Sequence, residues 1–227
     1  MEKSHIAEFI GTFALVFIGA GAVLVNGLTG GAVGLVGIAF AHGLVLLAMI
    51  YTFASLSGSH FNPAVTLALL AGKRIGPAKA AGYIACQLLG AAAASFLLMA
   101  MYPEATPAQL YGLPTGISMG LGIAIEAVLT FFLVLTVYGV AVDRKAPAGV
   151  FGWAIGGVIV CDILMGGTQT GATMNPARAF GPALASGMLG NQPIYWLGPI
   201  IGAIIAGFVS EYLQKEEAPK KEVPKKK

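Results

Sequence analysis

Charged residues are scarce in this chain. Only 10% of its 227 residues are Asp, Glu, Lys or Arg, and 57% are hydrophobic. A soluble domain carries about 25% charged residues, and the mean hydropathy here is +0.82. A chain with so few charges lacks the polar surface to stay in water. The composition therefore excludes a soluble globular domain and predicts an integral membrane protein.

Cysteine is also rare, since Cys86 and Cys161 are the only two in the chain. Both lie inside apolar runs, so we expect small buried packing residues rather than a disulfide or a metal pair. The sequence also lacks a nucleophile–base set and a cluster of metal ligands. We therefore expect no enzymatic activity, no metal and no cofactor, and we expect no nucleic-acid partner.

The chain does contain two similar nine-residue segments, here called boxes, which begin at positions 57 and 170. Each copy opens with a hydroxyl residue and Gly, and reaches Asn-Pro-Ala at the same offset. Asn is a favoured helix N-cap and Pro fits the first helical turn. Each box therefore predicts a loop that leads into a helix. The six residues of the two triplets are Asn62, Pro63, Ala64, Asn175, Pro176 and Ala177.

Six apolar runs are long enough to cross a hydrocarbon layer of about 30 Å. They cover residues 6–25, 33–53, 77–101, 116–140, 148–165 and 193–212. The runs that follow the boxes, 63–72 and 176–186, reach only about half way as helices. We interpret these two as re-entrant half-helices, and residues 102–114 as a loop outside the membrane.

Three spans separate the two boxes, so the boxes enter the membrane from opposite faces and the halves form inverted repeats. Glu8 and Thr12 in the first span recur as Glu126 and Thr130 in the fourth. The prediction is an all-α membrane protein with six transmembrane helices and two re-entrant half-helices in an inverted 3+3 repeat. We expect a single channel domain over residues 1–214, with repeats at 1–101 and 116–214.

The basic residues indicate the orientation. Of the thirteen Lys and Arg residues, twelve fall on one side of this topology, which predicts that both termini are cytoplasmic in a multi-pass protein of the cell membrane. The charged segment 215–227 has no apolar periodicity, and we expect a disordered tail. Arg178 is the one exception, because it lies in the second re-entrant segment.

The predicted half-helices meet N-terminus to N-terminus at the middle of the membrane. Each helix end carries the equivalent of about half a positive charge. Together the two ends disfavour a cation there. The side chains of Asn62 and Asn175 can point amide N–H groups towards any passage at this place. Arg178 adds a permanent cation inside the membrane, where charge is costly and is usually kept for a function.

With paired Asn-Pro-Ala boxes in an inverted repeat, the chain resembles the aquaporins, members of the major intrinsic protein family, from its first span to its sixth. It resembles the archaeal, prokaryotic and plant vacuolar-membrane members in particular. The resemblance implies a water-filled pore in each subunit, single-file passage and a homotetramer. It implies water and small neutral solutes as permeants, with membrane lipid around the protein.

The resemblance also implies an outer constriction, whose matching positions are His42, Ile163, Ala172 and Arg178. His with Ile and Ala is similar to the constriction of plant vacuolar-membrane aquaporins, which also pass ammonia or urea. It departs from the aromatic-plus-histidine filter of strict water channels and from the two-aromatic filter of glycerol facilitators. Ala179 stands where glycerol facilitators carry Asp, and Tyr195-Trp196 resembles the water-channel class.

Three further polar residues are expected to support the box loops. Glu8 and Glu126 are interpreted as buried acceptors for loop N–H groups, although a proton relay is an alternative. His60 is expected to hold its own loop. Asp162 has no twin in the first half, and either a neighbouring helix or the outer vestibule could hold it.

The leading hypothesis is a passive channel for water that excludes protons and ions, with ammonia, urea or dissolved gases as further candidates. A glycerol or small-polyol facilitator is the alternative within passive transport. A proton- or cation-coupled transporter, with Glu8, Glu126 and Asp162 as relay groups, is the alternative of a different class.

Overall fold

The computed structural model describes residues 2–111, 113, 116–143 and 145–215 of the chain. Within these ranges the protein is helical and contains no strand. The helices are α1 (Lys3–Leu28), α2 (Gly34–Ser57), α3 (Pro63–Ala71), α4 (Pro77–Met101), α5 (Pro107–Tyr111), α6 (Met119–Val137), α7 (Phe151–Gly166), α8 (Pro176–Ser186) and α9 (Gln192–Gln214). The predicted tail lies outside the described residues apart from Lys215, and Arg144 lies outside them too.

The spans predicted from apolar runs are present as helices. Five helices are long and apolar enough to cross a membrane, and α7 is a shorter apolar helix of 16 residues. The short α3 and α8 follow the two boxes and begin at their prolines, as predicted. The predicted fold class is therefore confirmed.

Two elements were not predicted. The loop between α4 and α6 contains the five-residue helix α5, which packs against α1 and α8. In addition, α6 continues into a π-helical turn at Tyr138–Val142. Both elements make tertiary contacts with other helices, and an apolar pattern along the chain does not reveal such contacts.

The packing follows the duplication. Within the repeats, α1 packs on α4 and α6 packs on α9; α2 and α7 pack on each other across the repeats. The half-helices cross over, because α3 packs on α9 of the second repeat and α8 packs on α4 of the first. Each half-helix therefore packs against helices of both repeats, and the largest apolar core cluster contains residues of both.

The crossing of α2 and α7 depends on two glycines. A Cβ atom on Gly43 would lie 2.6 Å from the carbonyl oxygen of Gly156, and one on Gly156 would lie 2.7 Å from that of Gly43. Real Cβ atoms do not approach so closely, so any side chain here would push the helices apart. Small residues at helix crossings are the usual means of close packing in membranes.

The far end of α3 is anchored to the second repeat. The hydroxyl of Tyr138 donates to the Ala68 carbonyl over 3.1 Å. Beyond α3, Arg74 makes two hydrogen bonds to Glu211 of α9, at 2.8 and 2.9 Å. These bonds raise the pKa of the Arg74 guanidinium. A helix of nine residues is thereby fixed at its far end as well as at its start.

The outward faces of the helices carry large apolar side chains, as expected where lipid replaces water. Trp153, Leu89 and Phe208 are each more than 60% exposed in the single chain. Cys86 is buried as predicted, but the prediction for Cys161 is wrong, because that side chain is exposed. Cys161 lies eight residues after Trp153 on α7, and two helical turns bring it to the same outward face.

Candidate functional site

The two boxes form matching N-caps. The side-chain oxygen of Asn62 accepts from the backbone N–H of Ala64 over 2.9 Å, and that of Asn175 accepts from Ala177 over 3.0 Å. Pro63 and Pro176 occupy the first helical position, where no N–H is needed. The local sequence therefore explains why α3 and α8 begin where they do.

The boxes are also bonded to each other. The amide nitrogen of Asn62 donates to the Met174 carbonyl over 2.7 Å, and that of Asn175 donates to the Phe61 carbonyl over 2.9 Å. The N-termini of the two half-helices therefore meet at one point. An Asn amide has two hydrogens, so each side chain keeps one donor beyond this cross-link.

Each box loop wraps around one buried carboxylate. Glu8 accepts from the Ser57 hydroxyl, the His60 and Phe61 backbone N–H groups, and the Gln87 amide, at 2.6 to 3.0 Å. Glu126 accepts four bonds from the second box, at 2.6 to 3.1 Å. Those donors are the Thr170 and Thr173 hydroxyls and the Thr173 and Met174 backbone N–H groups. In both residues the four acceptor positions of the carboxylate are filled.

The carboxylates hold an unusual backbone conformation. Ser59 and Phe61 have φ values of 54° and 47°, and Ala172 and Met174 have 45° and 49° at the matching positions. Non-glycine residues adopt positive φ rarely, because it brings Cβ close to the backbone. The strain occurs at the same two offsets in both boxes. At the second offset the N–H groups of Phe61 and Met174 donate to Glu8 and Glu126. At the first offset the N–H groups donate to the hydroxyls of Ser57 and Thr170.

Two tyrosines also donate hydrogen bonds to the box loops, a role that was not predicted from the sequence. The Tyr83 hydroxyl donates to the Ser57 carbonyl, and the Tyr195 hydroxyl donates to the Thr170 carbonyl, both over 2.9 Å. The tyrosines lie 26 and 25 residues after their partners. This nearly equal spacing reflects the repeat, and it could have predicted that the two tyrosines have matching roles.

A cavity of about 330 Å³ runs alongside the boxes. Both Asn side chains and His60 line it, and so do all four residues predicted for the constriction. The rest of its wall is largely apolar, supplied by Leu46, Ile50, Val65, Leu69, Leu133, Val137, Ile155 and Ile159. The cavity is therefore a largely apolar passage with a few polar residues in its wall, and these include Asn62 and Asn175.

Arg178 and His42 meet in this cavity. The Nε and Nη2 atoms of Arg178 lie 3.4 and 3.3 Å from Nε2 of His42, whose Nδ1 lies 2.8 Å from the Ile38 carbonyl. A carbonyl only accepts, so Nδ1 carries the hydrogen and Nε2 accepts from Arg178. Nη1 of Arg178 is buried with no partner among the described residues, which leaves donors for a molecule in the cavity.

Ile163 and Ala172 complete this part of the wall. Both are 2% exposed, and both line the cavity together with His42 and Arg178. The structure thus brings together four residues from α2, α7, the second box and α8 that are far apart in the sequence.

Asp162 is placed differently. It is buried in α7 next to Ile163 but is not part of the cavity wall. Its Oδ2 atom is buried and has no hydrogen-bond partner in the described part of the chain. Neither suggested role for Asp162 is tested by these contacts.

Residues 1–210 match the protein family described as Major intrinsic protein. The chain belongs to the major intrinsic protein family. Proteins of this family are membrane channels that pass water and small solutes. The family is not an enzyme family, so the chain is a multi-pass membrane channel by membership.

Similar family members come from plants. The chain is 37% identical to the putative aquaporin NIP4-1 of Arabidopsis thaliana, over 99% of this chain and 79% of that protein. It is 43% identical to a probable TIP-type aquaporin of Medicago truncatula, over 93% of this chain and 86% of that protein. Among solved structures, it is similar to the aquaglyceroporin from Plasmodium falciparum. The TM-score is 0.81 with 25% identity, over 92% of this chain and 96% of that one.

Proposed function

We propose that this family member is a passive water channel that excludes protons and ions. The observation that carries the proposal is the pair of crossed Asn side chains in the wall of the cavity. A water molecule between them meets two amide donors and the positive ends of α3 and α8. It can bind there through its oxygen, whereas a hydronium ion is repelled.

The second part of the proposal assigns the constriction to His42, Ile163, Ala172 and Arg178. Arg178 offers donors and a fixed positive charge, His42 is neutral in the observed hydrogen-bond pattern, and Ile163 and Ala172 form an apolar wall. A cation is repelled here before it reaches the Asn pair. Small neutral solutes with hydrogen-bond acceptors are admitted.

Urea and ammonia are proposed as additional permeants because Ala172 is small. Its methyl group occupies little of the cavity, and a larger side chain at this position would narrow the passage. Glycerol is the competing permeant. It is also tested below, because the chain is similar to the structure of an aquaglyceroporin. A coupled transporter is disfavoured, because the acceptor positions of Glu8 and Glu126 are already filled by loop donors.

The remaining predictions are carried as part of this proposal. The protein is a homotetramer with a pore in each subunit, both termini are cytoplasmic, and residues 1–214 act as one channel domain. It has no catalytic activity. Cross-linking in membranes tests the tetramer, and protease accessibility of the termini in intact cells tests the orientation.

The function is tested in proteoliposomes. Stopped-flow light scattering with sucrose, urea and glycerol gradients measures permeation of water and of each solute. An entrapped pH dye measures proton flux in the same vesicles. We expect faster water flux than in empty liposomes and no added proton flux. Proton flux comparable with water flux would refute the proposal in favour of a transporter, and glycerol flux faster than urea flux would indicate a polyol facilitator.

A further inference from the structure

The first repeat contains a branch of hydrogen bonds that the second repeat lacks. The amide nitrogen of Gln87 donates to Glu8 over 2.8 Å and to the hydroxyl oxygen of Thr66 over 3.0 Å. That oxygen also lies 3.0 Å from the Asn62 carbonyl and 3.1 Å from Nδ1 of His60. At the matching offsets from Asn175 and Tyr195, the second repeat has Ala179 and Pro199.

The hydrogens of this branch can be assigned from the chemistry of the groups. The Thr66 hydroxyl has one hydrogen and two lone pairs. The Gln87 amide nitrogen can only donate, and the Asn62 carbonyl can only accept. Each of the three contacts receives one hydrogen only if Thr66 donates to Asn62 and accepts from both Gln87 and His60. Nδ1 of His60 therefore carries the hydrogen, and Nε2 is left with a bare lone pair.

The bare nitrogen belongs to a residue in the cavity wall. Nε2 of His60 has no hydrogen-bond partner among the described residues, and it is not one of the buried unpartnered atoms. It lies beside Gly58, because a Cβ on that glycine would be 3.5 Å away. Gly58 follows the end of α2, 16 residues after His42 (58 − 42), which is about 24 Å of helix. His60 therefore lines the cavity on the side away from Arg178, two residues before Asn62.

We propose that Thr66, fixed by Gln87, holds His60 as the Nδ1–H tautomer, so that Nε2 accepts a hydrogen bond from the water next to the Asn pair. The proposal rests on the proposed water passage and adds a residue to it. The Asn amides donate hydrogen bonds to the oxygen of one water molecule, and His60 accepts a hydrogen bond from the neighbouring water molecule. With the opposite tautomer, the ring would present an N–H donor to the cavity in place of an acceptor. His60 is then an ordering residue, and Thr66 and Gln87 are its positioning residues.

The tautomer can be measured without any transport assay. The chain has three histidines, so solid-state NMR of ¹⁵N-histidine-labelled protein in bilayers resolves few signals. His5→Gln and His60→Gln variants assign them. We expect His60 to show a protonated Nδ1 and a bare Nε2. A protonated Nε2 in the wild-type protein would overturn the proposal, whatever the channel conducts.

The positioning role is tested with Thr66→Val, which removes the acceptor at nearly constant volume. We expect His60 to lose its preference for Nδ1–H and water permeability to fall about two- to tenfold, as for one hydrogen bond lost. Thr66→Ser keeps the hydroxyl and should restore both readouts. Thr12→Val is the matched control, because the Thr12 hydroxyl is buried and has no partner among the described residues.

Unchanged tautomer and permeability in Thr66→Val would also overturn the assignment. If that variant does not fold, Thr66→Ala replaces it, since Ala is the residue that the second repeat carries at this offset. Should the wild-type protein conduct no water, the proposed function fails. The NMR measurement would still decide the tautomer of His60 by itself.

Discussion

Ala172 determines how much room remains beside Arg178. Its side chain is one methyl group, it is 2% exposed, and it faces the same cavity as Ile163 and His42. Its backbone already has the positive φ that a non-glycine residue adopts only under constraint. A larger side chain at this position would therefore extend into the passage, because the loop cannot easily turn it elsewhere.

Ala172→Phe should reduce urea permeability more strongly than water permeability. The phenyl ring narrows the constriction, and a wider solute loses its path before a single water does. Parallel flux curves for water and urea in proteoliposomes make the comparison, with Ile163→Leu as the control that conserves volume. Equal loss of both fluxes, or loss of neither, would mean that these residues do not form the filter.

Gly19 supports the position of His42. A Cβ atom on Gly19 would lie 2.5 to 2.6 Å from the imidazole ring, so Gly19→Ala must displace the ring and weaken its contact with Arg178. We expect altered ratios of urea to water flux with little loss of folded protein. Gly21→Ala on the same helix is the control, because its Cβ meets only Leu98 at 3.4 Å. If both alanine variants behave alike, Gly19 has no special relation to the filter.

The box loops depend on a carboxylate with four acceptor positions. Glu8→Gln and Glu126→Gln each replace an acceptor oxygen with an N–H₂ group that faces donors. Each carboxylate oxygen accepts two of the four hydrogen bonds, so two buried donors lose their acceptor, and one of the two is a backbone N–H. Each loss costs about 1–3 kcal/mol. We expect lower expression and a lower unfolding temperature, measured by fluorescence-detected size-exclusion chromatography during heating. Glu104→Gln, on an exposed residue, is the control.

Stable Glu8→Gln and Glu126→Gln variants with altered selectivity would contradict this account. Such a result would return the two carboxylates to the role of proton relays.

The elements themselves could largely be predicted from the sequence. Apolar length predicts the spans, and the Asn-Pro pairs predict the starts of α3 and α8 because caps are local. Helix α5 and the π-helical turn after Val137 were missed, since their contacts come from other helices. The meeting of the two boxes was predicted, but the individual hydrogen bonds across the repeats were not. The bonds from Asn62 to Met174 and from Arg178 to His42 join residues more than 100 positions apart.

The two repeats share a scaffold but differ in their chemistry. Both have the carboxylate, the tyrosine, the Asn cap and the strained loop at matching positions. His60 in the first box corresponds to Thr173 in the second, and Val65 corresponds to Arg178. The duplicated parts thus build the central crossing, whereas the unmatched residues make the two ends of the cavity different. The only cation that lines the cavity among the described residues is at one end.

Arg178→Val gives the second box the residue that the first box already carries as Val65, so the fold has a precedent for it. The cavity then loses its fixed charge, while the crossed Asn amides and the N-terminal ends of α3 and α8 remain. We expect water flux to persist and urea flux to rise. Proton flux should increase measurably but stay far below water flux, because the two helix ends still oppose a cation. The entrapped pH dye and light scattering measure these fluxes in one preparation, with Arg178→Lys as the variant that keeps the charge.

Proton flux equal to that of the wild type would show that Arg178 adds nothing to the central barrier. Free proton passage would show that the crossing of the two boxes is not a barrier by itself.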